Sequence, residues 1–122
     1  NLLLEYIDHY QSHPFPEYLR TGIPVALSTD DRGMWDSTMT DEFFVAVKEF
    51  NLSWSEIKQL SRNSISYSFL EEPEKGQLMQ LFEQRMRKFE AQIKGGNKVK
   101  FVLGDSATKR GFICRNYHIC SD

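Results

Sequence analysis

The chain has 122 residues, 40% of them hydrophobic, with 15 basic against 17 acidic side chains and a net charge of -2. That length holds one small domain or a piece of a larger one, and it excludes a complete (β/α)8 barrel, which takes about 250 residues. The near-balanced charge gives no bulk attraction to nucleic acid or to an anionic membrane. No stretch nears the about 18 apolar residues of a membrane span, so neither is expected as a partner.

The chain opens mid-pattern at Asn1-Leu2-Leu3-Leu4, without Met, which reads as a cut within a longer protein. Leu3, Leu4, Ile7 and Tyr10 have helical spacing. His9 and His13 would share a helical face as a metal pair, but Pro14 pushes His13 out of helical geometry. Surface or capping histidines are therefore expected. Pro16 to Arg20 should form a short helix that ends at Thr21-Gly22.

Pro24-Val25-Ala26-Leu27-Ser28-Thr29-Asp30-Asp31 follows. An apolar run of this length between turn signals predicts a buried parallel strand ending in two adjacent carboxylates. In a βα barrel, the C-terminal end of a strand faces the active site. Two carboxylates there need a compensating cation or hydrogen-bond donor, although one of them can equally serve as the cap of a turn.

Gly33 to Ser37 reads as a loop, with Met34 and Trp35 as either walls of an apolar nucleobase pocket or cover for the barrel edge. Thr40 is expected to cap the next helix, with Asp41 and Glu42 in its first turn and Phe43, Phe44, Val47 and Phe50 as its buried stripe. Ser53-x-x-Glu56 is a capping box, and Leu52 with Ile57 has the spacing of a hydrophobic staple. The helix it opens should bury Ile57, Leu60, Ser64-Ile65 and Phe69. Glu71-Glu72-Pro73-Glu74 opens a third helix, along which Leu78, Leu81, Phe82, Met86, Phe89 and Ile93 predict a core face. Gly95-Gly96-Asn97 breaks that pattern, and Val99 to Leu103 suits a short strand. Cys114-x-x-x-His118-x-Cys120 lacks the paired spacing of a structural zinc site, so a loose tail is expected.

Taken together, several segments resemble the adenosine deaminase family. Ser28-Thr29-Asp30-Asp31 is similar to its last metal-site motif, and His13-Pro14, Gly22 and Pro24-Val25 precede it in the family's order. Arg62-Asn63-Ser64-Ile65-Ser66-Tyr67-Ser68-Phe69-Leu70 resembles its Asn-Ser-x-x-x-Ser-Phe-Leu segment. Glu74-Lys75 and the helix reaching Phe89-Glu90 resemble its closing helix, particularly in the growth-factor-like, often secreted, subgroup. The resemblance covers residues 1–94 and leaves 95–122 as an unassigned tail.

What the resemblance implies is an α/β fold: the C-terminal part of a (β/α)8 barrel, one buried strand followed by helices. It implies a zinc-dependent hydrolase that converts adenosine to inosine and ammonia. Asp30 matches the zinc-ligand aspartate that also serves catalysis, and Asp31 the aspartate that engages purine N7. Arg32 stands where the family usually has proline. Nothing here matches the family's His-x-His pair, its His-Ala-Gly-Glu segment or its later metal histidine, so most zinc ligands and the proton-shuttling glutamate must come from the missing N-terminal part of the barrel. The chain alone is expected to be inactive. An AMP deaminase-like enzyme and a truncated, non-catalytic interaction fragment are the alternatives.

Overall fold

The computed structural model of the chain describes residues 5–95 and 112–118, apart from the side chains of Trp35, Cys114 and Arg115. Within them, a 3-10 turn at Tyr10–Ser12 precedes six helices: α1 (Phe15–Arg20), α2 (Arg32–Trp35), α3 (Met39–Phe50), α4 (Trp54–Ser66), α5 (Glu72–Lys94) and α6 (Phe112–Tyr117). No strand forms among the described residues, and no helix among them is long and apolar enough to cross a membrane. The described part of the first expected helix, residues 5–9, is turns and bends.

Helix α1 starts at Pro14, and Phe15 N–H donates to His13 Nδ1 at 3.0 Å. His13 thus works as a cap, and its ring packs against Phe15 and Phe50. The helix ends in a Schellman turn, with Gly22 N–H bonded to Leu19 O at 3.3 Å and Ile23 N–H to Tyr18 O at 3.0 Å. Gly22 sits at φ 86°, which glycine adopts without penalty. This turn directs the chain into the extended run.

That run corrects the expectation of a buried strand. Residues 23–29 carry no regular secondary structure, and burial alternates: Val25, Leu27 and Thr29 are half-buried, while Ala26 and Ser28 are exposed. Period-two geometry is a local property, but a strand also needs a neighbour for its backbone ladder. The described residues supply helices on one side only, where Val25 and Leu27 pack on a core of Phe15, Leu19, Ala46, Leu52 and Leu60.

Helix α3 is capped by Thr38 rather than Thr40. Asp41 Oδ2 accepts from Thr38 N–H at 2.6 Å, and Asp41 N–H donates to Thr38 Oγ1 at 3.2 Å, a capping box with aspartate in its third position. Ala46 is its buried apolar residue, whereas Val47 is exposed. Asn51 ends α3 in the left-handed region, and Ser53 opens α4 two residues on. The Ser53–Glu56 box forms as expected, with Glu56 Oε2 accepting from Ser53 N–H at 2.7 Å. Leu52 and Ile57 join the core together. Leu60 is fully buried, but Ser64 and Phe69 are exposed and Ile65 only half-buried.

Helix α5 runs antiparallel to α4. Arg62 donates to Glu83 at 2.5 and 3.1 Å, and Lys58 Nζ and Trp54 Nε1 both donate to Glu90 Oε1 at 2.7 Å. Its expected core stripe is not buried. Leu78, Leu81, Phe82, Met86 and Phe89 line an open groove of about 480 Å³ with Trp54. One helix cannot cover a stripe of this width. Beyond α5, residues 112–117 are a helix where a loose tail was expected. Tyr117 donates to Glu49 Oε1 at 2.9 Å and meets Phe44 edge-on at 5.2 Å, which docks α6 on α3. The expected strand at Val99–Leu103 lies outside the described residues, as do Cys120 and the side chain of Cys114.

Candidate functional site

The run from Ile23 to Asp31 leaves the core at Thr29 and turns at Asp30, whose φ of 51° lies in the left-handed region. Asparagine and aspartate tolerate that region better than other side chains. Ser28 Oγ accepts from the Asp30 N–H at 3.2 Å and steadies the turn. The Asp30 carbonyl then accepts from Arg32 N–H at 3.2 Å. Asp31 stands at the N-cap of α2 at φ −90°, with no hydrogen bond from its side chain to the cap. Neither reading of the pair as a simple side-chain cap of a turn is met, since Ser28, not a carboxylate, holds the turn.

Asp30 and Asp31 are both exposed. Arg32, beside them, is exposed as well. Residues 32–35 form the short helix α2 where a loop was expected. Met34 is 68% exposed, and the side chain of Trp35 is outside the described residues. A cavity of about 250 Å³ does lie beside the run, between Ala26, Leu27 and Ser28 and residues that include His13, Phe15, Glu42, Ala46 and Phe50. Asp30 and Asp31 do not line it.

His9 and His13 do not pair on a metal: His9 Nε2 meets Ser12 Oγ at 3.0 Å, and His13 Nδ1 is occupied by the Phe15 N–H. Burial lowers the pKa of His13 below its ordinary value, which suits a neutral acceptor. Among the described residues no group of three or more His, Cys, Asp or Glu side chains is placed to hold a metal ion.

One contact ties the second motif to the first. Asn63, only 7% exposed, donates through Nδ2 to the Val25 carbonyl at 2.7 Å. Its own Oδ1 accepts from Gln59 Nε2 at 2.8 Å. The sequence carried a signal for this: Asn63 is a polar residue three positions after Leu60, on the inward face of α4.

Residues 1–85 match the sequence model of the family described as adenosine deaminase. Adenosine deaminase of Enterococcus faecalis is 36% identical over 72 residues, 59% of this chain and 21% of that protein. Adenosine deaminase of Shewanella halifaxensis is 33% identical over 79 residues, 65% of this chain and 24% of that protein. Adenosine deaminase 2 of Homo sapiens is 31% identical over 97 residues, 76% of this chain and 19% of that protein. The chain thus spans about a fifth to a quarter of the length of these relatives. No solved structure matches it.

Proposed function

Because this chain belongs to the adenosine deaminase family, we propose that it is the C-terminal part of a zinc-dependent purine nucleoside deaminase that hydrolyses adenosine to inosine and ammonia. The observation that carries this reading is the joining of two motifs. Ser28-Thr29-Asp30-Asp31 closes an extended run, and the Arg62-Asn63-Ser64 segment grips that run through the Val25 carbonyl.

Zinc takes four ligands, at least three of them from protein. The described residues do not fit the ion on their own. What they offer is Asp30, a single exposed carboxylate at a fixed turn, suited to complete a ligand set supplied by the rest of a barrel. Zinc held in such a completed site would lower the pKa of a bound water. Asp31, next along, has no cap bond to satisfy and is assigned to a purine ring nitrogen. It accepts from that nitrogen when the nitrogen is protonated, and donates to it when the carboxyl is neutral.

A nucleoside is favoured over AMP by the state of the nearest cations. Arg20 is already held by Glu56 at 2.9 Å and the Phe50 carbonyl at 3.2 Å, which leaves Arg32 as the nearby arginine for a phosphate. Within the family, the growth-factor-like subgroup is the finer reading, carried by the resemblance of Glu74-Lys75 and the helix reaching Phe89-Glu90 to that subgroup's closing helix.

The test is deamination followed by the fall in adenosine absorbance, with AMP as the competing substrate. The chain is assayed alone and mixed with the part of the Enterococcus faecalis relative that it does not match. Turnover of adenosine in the mixture alone, lost in Asp30→Ala, is the expected result. Preference for AMP would move the assignment to the nucleotide. A folded mixture without turnover on either substrate would favour a non-catalytic interaction role.

A further inference from the structure

We propose that Asn63 is a positioning residue for Asp30 and Asp31, acting through the backbone of the extended run rather than by touching substrate or metal. This rests on the assignment of that pair to the reaction. The Val25 carbonyl belongs to a segment with no sheet partner among the described residues, and a half-buried carbonyl without a partner is costly. Asn63 Nδ2 supplies that partner across 38 positions of sequence. Asparagine is a poor choice for the interior of α4 on propensity alone. Its side chain does not turn back on its own helix, as Ser61 and Ser64 do with the Ile57 and Leu60 carbonyls. It crosses to the run instead, and Gln59 fixes which end of its amide points there.

The grip is placed where it controls the carboxylates. Beyond Val25, the run is held by Leu27, which packs on the core, and Ser28 closes the turn at Asp30. Pinned at Val25, packed at Leu27 and closed at Ser28, it behaves as a short rod whose tip is the Asp pair. A shift at the pinned carbonyl is therefore carried to the tip. Displacements of about 1 Å at a reacting geometry cost on the order of a hundredfold in rate.

The experiment compares Asn63→Ala, Asn63→Asp, Gln59→Ala and Asp30→Ala in the reconstituted mixture, with Ser61→Ala as a control inside α4. Asn63→Asp keeps the volume but sets an acceptor against the carbonyl, so it separates positioning from packing. The expected result is a fall in kcat of about 10- to 100-fold for both Asn63 variants, with KM within about twofold and a smaller fall for Gln59→Ala. On the chain alone, the Val25 carbonyl-carbon shift and the Asp30 and Asp31 amide signals should move together in Asn63→Ala and stay in place in Ser61→Ala. If Asp30→Ala abolishes turnover while both Asn63 variants keep kcat within about twofold, the positioning role is overturned and the catalytic assignment stands. If Asp30→Ala keeps full turnover, the assignment itself falls, and the positioning role with it. If no mixture turns over, a Val25 signal that moves while Asp30 and Asp31 stay still overturns the inference.

Discussion

Helices α4 and α5 carry apolar residues at the same three- and four-residue steps, yet α4 buries Leu60 completely and Asn63 nearly so, whereas none of the 23 residues of α5 is buried. The difference lies in what each helix faces. Helix α4 has α1, α3 and the extended run on its inward side, so its stripe meets Phe15, Ala46 and Val25. Helix α5 packs chiefly on α4 among the described elements, joined through the Arg62–Glu83 and Lys58–Glu90 pairs along one edge. A stripe in sequence thus states a demand for cover, and neighbours decide whether it is met.

The largest effect that separates the two helices should come from truncating a leucine in each. Leu60→Ala should lower unfolding stability by about 2–5 kcal/mol, because a fully buried leucine leaves a cavity. Leu81→Ala, at a position already 40% exposed, should cost under about 1 kcal/mol. Urea unfolding measures both, and equal losses would show that α5 is covered in solution after all.

A smaller effect should follow at the entrance to the extended run. Gly22→Ala meets no atom within 4 Å, so its cost is the left-handed backbone alone, about 1–2 kcal/mol. A neutral substitution in thermal unfolding would mean that the Schellman turn does not hold the run.

The smallest effect is a pH dependence on the core side of α1. The Phe15 N–H needs an unprotonated His13 Nδ1, and burial holds the folded imidazole below its ordinary value. The unfolded chain takes its proton near about 6.5 and the folded chain at lower pH, so the folded state is favoured above that value. That stability declines as pH falls through the lowered folded pKa. His13→Asn, which accepts the same bond at any pH, should flatten this part of a stability profile measured from pH 8 to pH 5. An unchanged slope would remove His13 as its source.

Much of this was legible in the sequence where the determinants are local. The Ser53–Glu56 box, the glycine that ends α1 and the proline that opens α5 each act within one turn, and each formed where expected. Thr38 was legible too, since Asp41 completes a box from it, but Thr40 stood closer to the apolar stripe. The apolar run at 24–27 pointed to a strand, but the lack of a ladder was not legible, because ladder partners lie elsewhere in space. The same holds for the stripe of α5. Docking of α6 depends on Tyr117 reaching Glu49, a contact 68 positions apart that no pattern announces. At the site, motif resemblance picked out the Asp pair, while the exposure of the pair and the hand of Asn63 on the run behind it came only from the structure.

We propose Asp30 as a zinc ligand contributed to a site completed by the rest of a barrel. Its most direct test is the zinc content of the reconstituted mixture after gel filtration in metal-free buffer, comparing the unaltered chain with Asp30→Ala. Close to one zinc per complex is expected for the unaltered chain and loss of most of it in the variant, since removing one of four ligands weakens such a site severely. Zinc retained equally by both would contradict it.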